Sequence, residues 1–170
     1  MSNNILSKLV VGSLFLAVNS YSLPIGVVNG DNVSIKTKGL INTTTYVDGK
    51  AHIDLSARYI YDKGTKTVYT KKSKAIDWNF TPTTNGFYQI RSKSRPGGCI
   101  YDPKRTTIAR FDKTCNYNWP RNEWRLEKMY NAYRIRNKTT GYCMEADSGG
   151  TLLRVKSCSN NNDLQLFYID

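Results

Sequence analysis

The residue types that usually carry catalysis are scarce in this chain. His52 is the single histidine, and the 170 residues include 13 Asp and Glu side chains. General acid–base and nucleophilic catalysis most often need a histidine that titrates near neutral pH. The sequence has no Gly-x-Ser-x-Gly elbow, no glycine-rich phosphate loop and no persuasive pair of glycosidase carboxylates. These features predict a binding protein that is not an enzyme and has no cofactor.

The four cysteines predict disulfide bonds rather than a metal site. They contain no C-x-x-C pair, and a zinc site needs clustered cysteine and histidine ligands. Four cysteines allow three pairings. Because Cys99 and Cys115 recur about 43 residues later as Cys143 and Cys158, we expect the bonds Cys99–Cys115 and Cys143–Cys158, each contributing about 3 kcal/mol to stability.

A segment that occurs twice indicates how the chain is organised. Residues 86–93 are echoed by 131–138, and the triplet 122–124 (Asn-Glu-Trp) by 165–167 (Gln-Leu-Phe), at offsets of 43 to 45 residues. Such a period indicates a supersecondary unit used repeatedly, because one unit cannot bury its apolar face alone. A diverged first unit ends near 76–78 (Ile-Asp-Trp). The predicted units one, two and three span 33–80, 86–127 and 131–170.

The residue pattern within the units is typical of short β-strands. Alternating runs of Tyr, Thr, Ile and Val are separated by Gly, Asn, Asp and Pro, and no amphipathic helix of useful length occurs. Three units of about four strands predict an all-β fold, the β-trefoil, in which each unit buries its apolar face against the other two.

The first 22 residues predict a secretory signal peptide. A basic residue precedes an apolar run at 9–18, and the small residues Ser20 and Ser22 stand before the expected cleavage point. The apolar run is shorter than the roughly 20 residues of a membrane span. We therefore expect a secreted chain with a short tail at 23–32 and one domain at 33–170, in which disulfides are favoured.

The net charge of +12 predicts an anionic partner, such as a cell surface, an acidic protein or nucleic acid. A solvated basic surface that aids solubility is the alternative. Basic residues and tyrosines interleave in unit one, as in grooves that hold single-stranded nucleic acid. The export signal argues against a nucleic-acid partner.

The cysteines and closing triplets resemble those of ricin-type β-trefoil lectins. In that family a cysteine, a loop of 15 or 16 residues, a second cysteine and a closing Gln-x-Trp occur within one repeat, an order that residues 86–170 follow well and 33–80 poorly. Residues 81–92 are also similar to a segment in the lectin-like A and C subunits of cytolethal distending toxin. Those subunits are non-catalytic, hold a DNase-like B subunit and bind the target cell.

The lectin resemblance implies a sugar pocket in unit three. Such a pocket needs a carboxylate two residues after the first cysteine, an aromatic ring, and an amide just before the closing triplet. Glu145 stands at the carboxylate position, but Leu164 occupies the amide position and the loop before the second cysteine has no aromatic residue. We predict Glu145, Asp147 and Asn161 as glycan-binding residues. In unit two Tyr101 occupies the carboxylate position, and Asp102, one residue further on, is the predicted glycan-binding acid.

The sequence also predicts an exposed aromatic patch. Its candidate members are Tyr101, Tyr117, Trp119 and Tyr130. Contiguous exposed aromatic residues mark contacts with proteins or cell surfaces, and burial in the core is the alternative. The aromatic residues of the closing triplets, Trp78, Trp124 and Phe167, are expected in the core.

These features together predict a secreted, non-catalytic binding protein. The resemblance implies the delivery subunit of a multi-subunit toxin, whose partners are a host-cell surface glycan or lipid and further toxin subunits, including a DNase-like catalytic subunit. A free-standing carbohydrate-binding lectin and a β-trefoil enzyme inhibitor are the alternatives.

Overall fold

The structure is a computed structural model. It describes residues 34–39, 41–47, 50–56, 59–62, 68–71, 77–104, 106–116, 118–148 and 152–169. The predicted signal peptide and tail lie outside these residues, as does Tyr117. In the described part of the chain no helix is long and apolar enough to cross a membrane.

The described residues form fourteen short strands and two 3-10 turns, which confirms the predicted all-β fold. The strands are β1 (Ile35–Thr37), β2 (Ile41–Val47), β3 (Lys50–Ser56), β4 (Tyr59–Asp62), β5 (Val68–Lys71), β6 (Trp78–Pro82), β7 (Tyr88–Ser92), β8 (Cys99–Tyr101), β9 (Arg110–Asp112), β10 (Glu123–Met129), β11 (Ala132–Asn137), β12 (Cys143–Ala146), β13 (Leu153–Lys156) and β14 (Leu166–Ile169). The turns, Pro120–Asn122 and Asp163–Gln165, directly precede β10 and β14.

Strand pairing repeats along the chain. Six strands lie side by side in the order β1-β14-β11-β10-β7-β6. Three hairpins, β4–β5, β8–β9 and β12–β13, are attached to β1, β7 and β11. Each hairpin therefore joins the first strand of its own unit, so a hairpin of unit three can be compared position by position with that of unit two.

Unit one contains a further hairpin, formed by β2 and β3. Strands β2 and β3 pair along their full length, from Ile41↔Ser56 to Val47↔Lys50, as a separate two-stranded sheet. This hairpin falls between β1 and β4, so it extends unit one without breaking the pairing of β4 with β1.

The aromatic residues of the closing triplets fill the core, as predicted. Trp78, Trp124 and Phe167 are fully buried. The indole nitrogen of Trp78 donates to the Ile60 carbonyl at 3.1 Å, and that of Trp124 to the Ile100 carbonyl at 3.0 Å. Since buried polar groups need partners, each tryptophan both packs the core and fixes the hairpin of its unit.

The two disulfides have the predicted pairing. Cys99–Cys115 and Cys143–Cys158 have Cα–Cα distances of 5.4 and 5.1 Å. Each bond joins the first residue of a hairpin to the loop that precedes the closing strand. The Cys143–Cys158 bond therefore holds β12 next to the loop that approaches the Asp163–Gln165 turn.

We expect Trp124→Phe to lower the free energy of unfolding by about 2–4 kcal/mol. The substitution leaves the buried Ile100 carbonyl without its donor and opens a cavity in the core. Denaturant unfolding measures the change, with Trp119→Phe as the control because Trp119 is only half-buried. Equal effects of the two substitutions would show that the indole–carbonyl bond does not stabilise unit two.

Candidate functional site

A cleft of about 460 Å³ opens beside the β12–β13 hairpin of unit three. Six of its lining residues come from three chain segments that the disulfide and strand pairing bring together. They are Tyr142, Glu145, Val155, Lys156, Asn162 and Gln165. We call this site the unit-three cleft.

Glu145 is the buried carboxylate of the cleft, with 6% of its surface exposed. Its Oε2 accepts from the amides of Asn162 at 2.8 Å and Gln165 at 2.9 Å. Its Oε1 accepts from the ammonium group of Lys156. Burying a charge is costly unless it is paired and hydrogen-bonded, and these three donors supply that compensation.

Gln165 supports the carboxylate rather than facing a ligand. Its amide nitrogen donates to the Ser157 carbonyl at 2.8 Å as well as to Glu145, and its oxygen accepts from the Ser159 backbone N–H at 2.8 Å. In unit two, Asn122 likewise donates to the Asn116 carbonyl at 2.8 Å. The amides of both residues therefore hold the loop before the closing strand through its backbone carbonyls.

Asn162, three residues before Gln165, supplies the amide that Leu164 lacks at the predicted position. It caps the 3-10 turn by accepting from the Leu164 N–H at 3.0 Å, while its own amide reaches Glu145. In a 3-10 turn, residues three apart lie on the same side, so Asn162 stands above Gln165. The adjacent Asn161 is exposed and is not among the residues lining the cleft.

Tyr142 is the aromatic residue of the cleft, and it directly precedes Cys143. Its side chain is 44% exposed. The corresponding residue of unit two is Gly98, where a Cβ atom would lie 2.3 Å from the ring of Phe111. Val155 occupies the position of Phe111 in unit three. The smaller Val155 leaves room for a cleft with Tyr142 at its edge, whereas Phe111 fills this space in unit two.

Two of the predicted acids have structural partners elsewhere. Asp147 forms a two-point ion pair with Arg154, with N–O distances of 3.0 and 3.1 Å, and these bonds raise the pKa of the Arg154 guanidinium. Asp102 is 1% exposed and accepts from the Lys104 N–H at 2.8 Å and from the Thr140 hydroxyl. Of the four predicted glycan-binding residues, the structure brings Glu145 alone into the cleft lining.

The aromatic candidates fall into two separate places. The rings of Tyr101 and Trp119 lie 5.0 Å apart, and the Arg121 guanidinium lies 5.7 Å from the Trp119 ring. Tyr130, which is 92% exposed, occupies the turn between β10 and β11. Since β10 is 7 residues long, this turn lies about 20 Å along the strand from the end near Trp119.

The Tyr101–Trp119 pair is the unit-two counterpart of Glu145 and Asn162. Tyr101 stands two residues after Cys99, as Glu145 does after Cys143, and Trp119 and Asn162 are the residues that precede the two 3-10 turns. A hydrogen-bonded polar pair in unit three is therefore replaced by an aromatic contact in unit two. The two units present different chemistry at the same place in the fold.

Comparisons with known proteins agree with this geometry. The sequence matches the family described as ricin-type beta-trefoil lectin domain-like over residues 74–165. A comparison with curated proteins gives no significant match.

Solved structures show the same fold at low sequence identity. ThreeFoil, a designed 3-fold symmetric protein, is 13% identical with a TM-score of 0.60, covering 81% of this chain and 96% of its own. SeviL bound to asialo-GM1 saccharide is 14% identical with a TM-score of 0.54, covering 82% and 96%. The Haemophilus ducreyi cytolethal distending toxin is 13% identical with a TM-score of 0.52, covering 79% and 81%.

The family match extends over more than half of the chain and includes both disulfides and the first two closing triplets. The strand pairing and the likeness to a designed three-fold protein agree with it. The chain therefore belongs to the ricin-type β-trefoil lectin domain-like family.

Proposed function

We propose that the protein is a secreted, non-catalytic subunit that binds a cell-surface glycan through the unit-three cleft. One observation carries this proposal: the buried carboxylate of Glu145 lies in one cleft with the Asn162 amide and the exposed ring of Tyr142. Carboxylate, amide and aromatic ring are the groups that orient sugar hydroxyls and cover an apolar sugar face.

The hydrogen bonds of Glu145 limit what the cleft can hold. A carboxylate has about four acceptor positions, and Lys156, Asn162 and Gln165 occupy three of them. One position therefore stays available for a sugar hydroxyl. We infer weak binding of a single terminal sugar, with strong attachment arising from several contacts at once.

The toxin-subunit role is the narrower part of the proposal. Residues 81–92 resemble a segment of the A and C subunits of cytolethal distending toxin, and the solved toxin from Haemophilus ducreyi shares the fold. The Tyr101–Trp119 pair with Arg121 offers an aromatic and cationic surface of the kind enriched at protein interfaces. We propose that this surface docks partner toxin subunits, including a DNase-like catalytic subunit.

A free-standing secreted lectin is the second candidate function. It is favoured by the likeness to SeviL, a saccharide-bound protein of which this chain covers 96%. The toxin subunit and the free-standing lectin would both be exported with the signal peptide at 1–22. The two disulfides support this, because disulfides persist in oxidising extracellular environments. Host-cell lipid is the other surface ligand consistent with the basic charge.

We expect Glu145→Gln to weaken glycan binding by about tenfold or more, because the substituted amide removes an acceptor from the cleft. A glycan array on the folded protein identifies a ligand, and calorimetry measures its affinity. Asp147→Asn is the matched control, since it makes the same charge change two residues further on, at an ion pair outside the cleft lining. Equal binding by both variants, or no ligand on the array, would refute the glycan site.

Substitutions of Tyr142 test whether its ring contributes to glycan binding in the same cleft. We expect Tyr142→Ala to reduce glycan affinity by about tenfold, because the ring covers the apolar face of the sugar. Tyr142→Phe keeps the ring and is expected to keep most of the affinity. Thermal unfolding should change little in either variant, because the side chain is partly exposed. A Tyr142→Ala protein with unchanged glycan affinity would exclude ring stacking.

The docking surface can be tested separately from the glycan cleft. We expect Trp119→Ala to weaken co-purification with a DNase-like subunit, with an affinity loss of about 30-fold or more, as at aromatic interface residues. Tyr130→Ala is the matched control, because Tyr130 is exposed at the far end of the β10–β11 hairpin. Glycan binding without any subunit partner would instead support the free-standing lectin.

A further inference from the structure

A second cleft, of about 240 Å³, lies where units two and three meet. Its lining includes Arg125 and Glu127 of β10, Arg136 of β11, Lys138 just beyond β11, and Phe87. Three cations thus face one carboxylate in a small space. We call this site the cationic cleft.

Strand register places the two arginines against each other. Arg125 pairs directly with Arg136 across the β10–β11 ladder. Like charges directly opposite in an antiparallel pair destabilise it. The neighbouring same-face pair, two positions along, is Glu127 opposite Arg134, which carries opposite charges. The Arg125–Arg136 pair therefore lacks the favourable cross-strand charge pairing of its neighbour, which an anion held by the two guanidinium groups would supply.

Contacts with the protein hold these cations at the cleft. The Arg125 guanidinium and the Lys138 ammonium group lie 4.5 and 5.1 Å from the centroid of the Phe87 ring. The Arg136 guanidinium donates to the Gly141 carbonyl at 2.8 Å. Groups that are already positioned lose less conformational entropy when a ligand binds.

Carboxylates near the cleft neutralise only part of its charge. Glu127 bonds Arg134 at 2.8 Å and Arg136 at 3.4 Å, and Glu123 bonds Lys138 at 2.6 Å. Among the described residues, three cations, Arg134, Arg136 and Lys138, therefore share two carboxylates, Glu127 and Glu123. This leaves a positive excess at the cleft, whose lining also includes the guanidinium of Arg125.

We propose that the cationic cleft binds the sulfate or carboxylate group of an acidic glycan. The planar guanidinium of arginine matches the paired oxygens of such groups. The volume is below that of pockets for drug-sized ligands, which suits one charged group and the adjoining part of its sugar.

The position of the cleft favours a glycan as the carrier of that group. Gly141 lines the cationic cleft, and the next residue, Tyr142, lines the unit-three cleft. One oligosaccharide can therefore place a neutral sugar in the unit-three cleft and its acidic group between the arginines. The identity of the carrier rests on the proposed function, whereas the oxyanion site rests on the charges alone.

Calorimetry in low-salt buffer tests the site with a sulfated heparin-derived oligosaccharide, its desulfated counterpart and inorganic sulfate. We expect Arg136→Gln to weaken binding of the sulfated oligosaccharide by about tenfold or more, because a charge-assisted hydrogen bond is lost. Lys128→Gln is the matched control: it removes the same charge from an exposed residue of β10 outside the cleft lining. We expect it to change the affinity less than about twofold.

Two further variants separate the role of the guanidinium group from that of the unit-three cleft. Arg136→Lys keeps the positive charge but lacks the planar guanidinium. We therefore expect its affinity for the sulfated oligosaccharide to lie between those of the wild type and Arg136→Gln. Thermal unfolding shows whether the two Arg136 variants are folded. Glu145→Gln should leave unchanged the ratio of the affinities for the sulfated and the desulfated oligosaccharide. If Glu145→Gln removes no glycan binding while Arg136→Gln does, the glycan role of the unit-three cleft fails and the oxyanion site stands.

Four results would overturn the inference. Equal losses in Arg136→Gln and Lys128→Gln would show attraction to the overall positive charge only. Equal affinity for the sulfated and desulfated oligosaccharides would exclude an oxyanion. Inorganic sulfate binding as tightly as the oligosaccharide would exclude a glycan carrier. An acidic peptide such as polyglutamate that binds more tightly, in an Arg136-dependent way, would identify the site as a protein contact.

Discussion

The fold depends on the burial of one aromatic residue at the end of each unit. A unit of four short strands cannot cover its own apolar face, and the fully buried Trp78, Trp124 and Phe167 close that face against the common core. The two tryptophans also bond the carbonyls of Ile60 and Ile100, which fixes each hairpin relative to its closing strand. The clefts lie on surfaces that this fixed arrangement holds in place.

The same scaffold position carries different chemistry in different units. In unit two the Phe111 ring packs on Gly98 and fills the space above the hairpin. The Tyr101–Trp119 pair occupies the positions that Glu145 and Asn162 have in unit three. Unit three has Val155 at the position of Phe111, so a cleft opens around Glu145. Since the strands and disulfides are shared, a change of a few side chains is enough to replace a packed surface with an open cleft.

The cationic cleft follows from the meeting of two units. Arg125 belongs to unit two and Arg136 to unit three, and the β10–β11 ladder places them side by side. The Cys143–Cys158 bond lies next to both clefts. The Cys158 sulfur contacts the carbonyl of Gly141, which lines the cationic cleft, at 3.3 Å, and the residues on either side of Cys158, Ser157 and Ser159, line the unit-three cleft. The turn that separates the clefts is thus held by a covalent bond, so the spacing between them is set by the fold.

The sequence by itself determined the features that repeat: the strand-rich pattern, both disulfides and the buried aromatic residues, because a period of 43 to 45 residues fixes equivalent positions. Only the tertiary structure decided which polar residues meet. The 3-10 turn brings Asn162 rather than Asn161 to Glu145, and ion pairing engages Asp147 with Arg154. Spacing along the chain does not reveal turn geometry or cross-strand partners, since these depend on how separate segments pack together.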